Sequence, residues 1–142
     1  MTNVLQPTAS RPSASRESTI GCLDGSTRTL VDALEQRVQR DAGYCAYKYL
    51  NDDGIVSSLT IGQLDQRARA IAAWLQDRCS LGDRVLLVYP PGLEFVTAFF
   101  GCLYAGVLPV PATYPKPRRP MPRLLAIGID CGAELALTTS QA

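Results

Sequence analysis

The chain has 142 residues, 46% apolar and 19% charged, with 14 Lys plus Arg against 13 Asp plus Glu for a formal charge of +1. This composition excludes a collagenous, coiled-coil or wholly disordered chain. Its near balance of charge gives no electrostatic basis for nucleic acid or an anionic membrane as the main partner.

Residues 1–27 read as a disordered leader. Nine of them are Ser or Thr, Pro7 and Pro12 interrupt the run, and apolar periodicity is absent. Such a stretch buries too little surface to offset its ordering entropy. It lacks the apolar centre of a secretory signal. Arg11 and Arg16 among serines faintly resemble a transit peptide, but Glu17 and the missing amphipathic pattern count against that.

Residues 28–142 carry the structured part. Thr29 caps a first helix with Asp32 three residues on, Leu30, Leu34 and Val38 recur at helical spacing, and Gly43 ends it. Tyr44 to Leu50 and Ile55 to Leu59 are strand-like, joined by the turn Asn51-Asp52-Asp53-Gly54. A second helix opens with the capping box Thr60/Gln63 and the staple Leu59/Leu64. Its apolar face is Leu64, Ala68, Ile71, Ala72 and Leu75, flanked by Trp74, and its polar face carries Gln66, Arg67 and Arg69.

The rhythm then changes. Arg84 to Tyr89 is an apolar run of buried-strand type, broken by Pro90-Pro91-Gly92. Leu93 to Ala105 reads as a helix stopped by Gly106, Val107 to Val110 as a short strand, Pro122 to about Cys131 as a helix, and Glu134 to Thr138 as a last strand. The β-α-β-α-β order with short links predicts an α/β fold of parallel strands with right-handed crossovers. Phe95 to Ala112 is also 18 residues without a charge, the length of a membrane span. Gly101, Gly106, Pro109 and Pro111 fit helix-turn-strand instead, so no membrane span is expected.

Chemistry-bearing residues are sparse. There is no histidine, which excludes Ser-His-Asp and Cys-His nucleophilic sites and any His-containing zinc site within the chain. The five cysteines, Cys22, Cys45, Cys79, Cys102 and Cys131, are scattered, so neither a disulfide framework nor a Cys-only metal site is expected, and a reducing cytoplasmic setting fits them. Cys45 and Cys102 lie in apolar runs and read as small buried side chains. No GxxxxGK[ST], GxGxxG or GxSxG occurs. Asp52-Asp53 is explained by turn formation rather than metal binding. One surface is unusual: Tyr114 to Arg123 packs four basic residues and four prolines into ten positions. It reads as a stiff connector, a cofactor-facing loop or a peptide-docking segment.

Tyr89-Pro-Pro-Gly-Leu-Glu-Phe95, Ala98-Phe-Phe-Gly-Cys-Leu-Tyr-Ala-Gly106 and Pro109-Val-Pro-Ala112 together resemble the start of a fatty acyl-AMP ligase, a member of the adenylate-forming superfamily. Leu59-Thr60 with Leu64, the Gly82-Asp83-Arg84-Val85 turn, Arg123 to Ile127 and Ala136 to Thr139 extend the resemblance over roughly Thr29 to Thr139. Thr113 and Lys116 depart from the compact Val-Pro-Ala-Tyr-Pro-Pro sequence usual in that family.

The resemblance implies the N-terminal portion of the large domain of such an enzyme, an incomplete AMP-binding domain over 28–142. It further implies a parent reaction in which ATP and Mg²⁺ activate a fatty acid as acyl-adenylate, for transfer to the phosphopantetheine thiol of an acyl carrier protein. The family's ATP-gripping loop, ribose-binding acidic motif and catalytic lysine have no counterpart here, so no catalytic, ATP-binding or metal residue is assigned, and the isolated chain is expected to be inactive. Tyr114, Lys116, Arg118 and Arg119 are the candidate edge of a phosphopantetheine or CoA site. A non-catalytic binding or interaction protein is the alternative reading. An uncovered edge strand also predicts poor solubility or self-association.

Overall fold

The computed structural model describes residues 28–50, 52, 54, 56–115 and 121–139. The expected leader therefore lies outside the described residues. In chain order the elements are α1 (Leu30–Asp41), β1 (Cys45–Leu50), β2 (Val56–Thr60), α2 (Ile61–Gln76), β3 (Arg84–Val88), α3 (Leu93–Ala105), β4 (Leu108–Pro111), α4 (Pro122–Cys131) and β5 (Leu135–Thr138).

Local signals set the helix starts. Thr29 accepts from the Asp32 backbone N–H at 3.0 Å, and the Asp32 carboxylate accepts from the Thr29 N–H at 2.9 Å. Thr60 and Gln63 repeat this reciprocal box at the head of α2. Each box satisfies two backbone donors that a helix start leaves without intrahelical partners. Gly106 and Gly132 end α3 and α4 with φ of 74° and 61°, a left-handed conformation that glycine adopts without a Cβ penalty. α1 closes differently: Ala42 is its C-cap in right-handed geometry, and its carbonyl accepts from the Gly62 N–H at 2.8 Å. Gly43 follows the cap and adopts no positive φ.

β1 and β2 form an antiparallel hairpin with a register irregularity between Cys45 and Tyr47. β3 is the centre of a three-stranded parallel sheet in the order β4-β3-β5. Pro109 and Pro111 are tolerated in β4 because it pairs, among the described residues, on one side only.

Strand alternation divides the helices between the sheet faces. Val85 and Leu87 are fully buried with Ala98 and Cys102 of α3 and Leu75 of α2. Leu86 points the other way, where a Cβ built on Gly128 of α4 would lie 3.4 Å from its Cδ1. A second core joins Leu34, Leu59, Ile61 and Leu64 to Val96, Phe100 and Tyr104 of α3. α3 is thus buried on two sides, which is why it is apolar almost all round. No helix among the described residues is long and apolar enough to cross a membrane; the uncharged run of 18 residues is α3, its turn and β4.

Two cysteine expectations part company. Cys102 is fully buried. Cys45 is only half-buried, because it begins a strand of the small hairpin, and its thiol donates to the Tyr47 carbonyl at 3.6 Å.

Candidate functional site

The parallel sheet places a cleft of about 770 Å³ at the C-terminal ends of β3 and β5. Chain direction explains the position. β3 exits toward α3 on one face and α4 lies on the other, so the connections diverge where β3 and β5 adjoin. Open α/β sheets bind ligands at such a divergence. Tyr89, Pro90 and Pro91 form one wall, Ala70 and Ile71 of α2 another, and Thr138 and Thr139 the end of β5. A shallower apolar extension shares Ala70, Ile71 and Tyr89 and adds Trp74 and Leu137.

Most polar groups of the cleft are already engaged. Thr97 is buried and its hydroxyl donates to the Leu93 carbonyl at 3.0 Å within α3. Thr138 donates to the Val88 carbonyl at 2.7 Å, tying β5 to β3. Glu94 lies in the first turn of α3, where the positive end of the helix dipole favours a carboxylate. Burial pushes the Tyr89 phenol above its ordinary value, and the nearby Cys102 and Glu94 add to the rise.

Two groups are not engaged. The Thr139 hydroxyl oxygen is buried and has no hydrogen-bond partner among the described residues. Arg67 reaches the cleft from the exposed face of α2 and makes no ion pair among them.

The sequence-derived site falls elsewhere. Tyr114 is half-buried on the segment leaving β4 and does not line the cleft. Lys116, Arg118 and Arg119 lie outside the described residues. Asp52 occupies the hairpin turn and Asp53 lies outside the described residues. No group of three or more Cys, Asp or Glu side chains among the described residues is placed to hold a metal ion. Sequence reasoning took Arg67 for an ordinary polar-face residue and missed the cleft. The available signal was a buried strand ending abruptly at Pro-Pro-Gly before a helix.

Residues 34–142 match the profile of the AMP-binding enzyme family. The chain belongs to that family. It is 46% identical over 114 residues to the medium-chain-fatty-acid–acyl-carrier-protein ligase JamA of Moorena producens, covering 78% of this chain and 19% of the ligase. It is 37% identical over 123 residues to the long-chain-fatty-acid–AMP ligase FadD32 of Mycolicibacterium smegmatis, covering 84% and 19% respectively. The crystal structure of the Legionella pneumophila fatty acyl-adenylate ligase with acyl adenylate and pyrophosphate superposes with a TM-score of 0.78 at 34% identity, over 82% of this chain and 20% of that one.

This AMP-binding family chain therefore spans about a fifth of the length of the relatives it matches. It corresponds to the N-terminal part of the adenylate-forming fold, and its resemblance to fatty acyl-AMP ligases covers most of its length. The α/β architecture expected from the sequence is the one observed.

Proposed function

We propose that this chain provides the opening scaffold of an ATP-dependent fatty acyl-AMP ligase. The observation that carries the reading is the 46% identity over 114 residues to a fatty-acid–acyl-carrier-protein ligase. In the proposed reaction the fatty-acid carboxylate attacks the α-phosphorus of ATP, forming acyl-AMP and releasing pyrophosphate. A carboxylate is a poor acyl donor, and AMP gives it a good leaving group. The phosphopantetheine thiol of an acyl carrier protein then takes the acyl group and releases AMP. ATP and Mg²⁺ are bound in this reading by residues other than these 142, and the setting is cytoplasmic.

The 142 residues by themselves do not adenylate in this reading, since they contain no phosphate-gripping loop and no counterpart of the family's catalytic lysine. Purified chain should give no fatty-acid-dependent ATP–pyrophosphate exchange. Detectable exchange would overturn the statement.

The Tyr114, Lys116, Arg118 and Arg119 loop is proposed as the edge of the thiol-acceptor path. Its prolines stiffen the backbone, and a stiff loop carrying Tyr114 obstructs free CoA while leaving carrier-bound phosphopantetheine its route. In a full-length ligase carrying this segment, Tyr114→Gly should gain CoA ligation; unchanged discrimination would count against the loop's role.

A further inference from the structure

We propose that the outer face of α4 is a homodimer interface, on which a second copy of this chain packs its own α4 antiparallel. Exposure divides the helix in two. Leu124, Ile127, Gly128 and Cys131 turn partly toward the sheet, and no residue of α4 is buried. On the opposite side Met121, Leu125 and Ile129 stand at i, i+4 and i+8, and they are 41%, 66% and 84% exposed. Single exposed apolar residues are ordinary on a surface. Three in register form one continuous stripe along the helix, which is the kind of surface that packs against another.

The charges beside the stripe identify the occupant. Arg123 lies in the first turn of α4 and Asp130 in the last, the reverse of what the helix dipole favours. Both are exposed, and neither makes an ion pair among the described residues. Seven residues is close to two turns, so the two charges share one edge of the exposed face, about 10 Å apart. A twofold axis midway between them brings Arg123 of each copy against Asp130 of the other. Each charge then lies beside the end of the neighbouring helix that suits its sign. One surface thus supplies both halves of the complementarity, as a twofold interface requires. Ala126, the exposed residue nearest the axis, leaves the two backbones room to approach.

A ten-residue helix is about 15 Å long, so the contact is small. The dimer is therefore weak and reversible, at the low end of specific interfaces. Association needs neither ATP nor acyl chemistry and stands apart from the ligase reading.

Sedimentation velocity of the full chain from about 5 to 500 μM, the range in which a small interface titrates, provides the test. The average mass should rise from that of the monomer toward twice that and stop there. Leu125→Glu should weaken association at least tenfold, since it sets two carboxylates into the stripe, while circular dichroism shows the helices intact. Arg123→Glu and Asp130→Arg should each weaken it roughly fivefold, the scale of two surface ion pairs. Arg123→Glu only inverts the formal net charge from +1, so its loss is not general repulsion. The double variant R123E/D130R should return to the parent's affinity, a recovery that a non-specific apolar contact does not give. A monomer at every concentration would leave this face to a different polypeptide and overturn the proposal. Undiminished association of Leu125→Glu would move the contact to the free edge of β5 and overturn it equally, as would a double variant no better than the single ones.

Discussion

Gly101 on α3 meets Ile71 on α2 with no room between them: a methyl group added at Gly101 would stand 2.6 Å from Ile71 Cγ2 and 3.2 Å from the Ala68 carbonyl oxygen. The absent side chain lets the two helices cross closely and fixes where Ala70 and Ile71 stand beside Tyr89 in the cleft. Gly101→Ala should therefore destabilise the chain by about 1–2 kcal/mol, since overpacking at roughly 1–3 kcal/mol exceeds the gain in helix propensity. The denaturation midpoint reads this. Adding Ile71→Ala to Gly101→Ala should recover part of the loss, and simple additivity of the two changes would exclude the contact as the cause.

Cys102 predicts an alkaline limit to stability. Burial pushes its thiol from 9.0 up to about 11, with Cys79 nearby adding to the rise. Between those values the unfolded chain releases the proton while the folded chain keeps it. Stability is therefore full below pH 9 and is lost as pH rises toward 11, by on the order of 2–3 kcal/mol from this group. Tyr89 and Tyr104, also raised, act in the same direction. Unfolding curves from pH 7 to 11 should slope downward above pH 9, and Cys102→Ala should flatten that slope even though it lowers stability at pH 7. An unchanged slope in the variant would refute the assignment.

The capping box at α2 joins the hairpin to the rest of the fold. Thr60 closes β2 and caps α2, and Ile61 donates to the Tyr44 carbonyl at 2.9 Å. Thr60→Ala is expected to cost about 1 kcal/mol, with Gln63→Ala costing less because it removes only the returning bond. Helical circular dichroism during urea titration distinguishes the two; a neutral Thr60→Ala would show that packing of Leu59 and Leu64 alone sets the helix start.

Arg69 gathers three helices. Its Nε bonds both Asp65 oxygens at 3.0 Å, one terminal nitrogen reaches Glu35 of α1 at 2.8 Å, and its guanidinium lies over the Tyr104 ring of α3 at 4.6 Å. The Tyr104 hydroxyl donates to Asp65 at 2.5 Å. The side chain is 52% exposed, so solvent screening holds the expected cost of Arg69→Met to about 1 kcal/mol despite three partners. About 1 M salt, where the Debye length falls to roughly 3 Å, should shrink the difference between variant and parent. A salt-independent difference would assign the effect to packing on Tyr104 instead.

Nearly every element was legible along the chain, because its signal is local. Thr29/Asp32 and Thr60/Gln63 announce helix starts by side-chain chemistry within four residues, and Gly106 announces an end by the φ it permits. Boundaries moved by a residue at the strands, where pairing rather than propensity decides the last member: Tyr89 leaves β3 and Pro111 joins β4. The cleft was not legible. Arg67, Tyr89 and Thr139 are 22 and 50 residues apart in turn, and no spacing rule connects a helix face to two strand ends.

The sequence by itself determined the order and type of elements, the absence of histidine-based and phosphate-loop chemistry, and the kinship carried by Tyr89 to Phe95 and Ala98 to Gly106. The tertiary structure alone decided that β3 lies between β4 and β5, that α3 is buried on two sides, and that the buried Thr139 hydroxyl, without a hydrogen-bond partner among the described residues, lines the same cleft as Arg67. The physical reason is range. Capping, turn formation and periodicity act within a few residues, whereas strand order and the desolvation of a particular hydroxyl depend on which distant surfaces pack together.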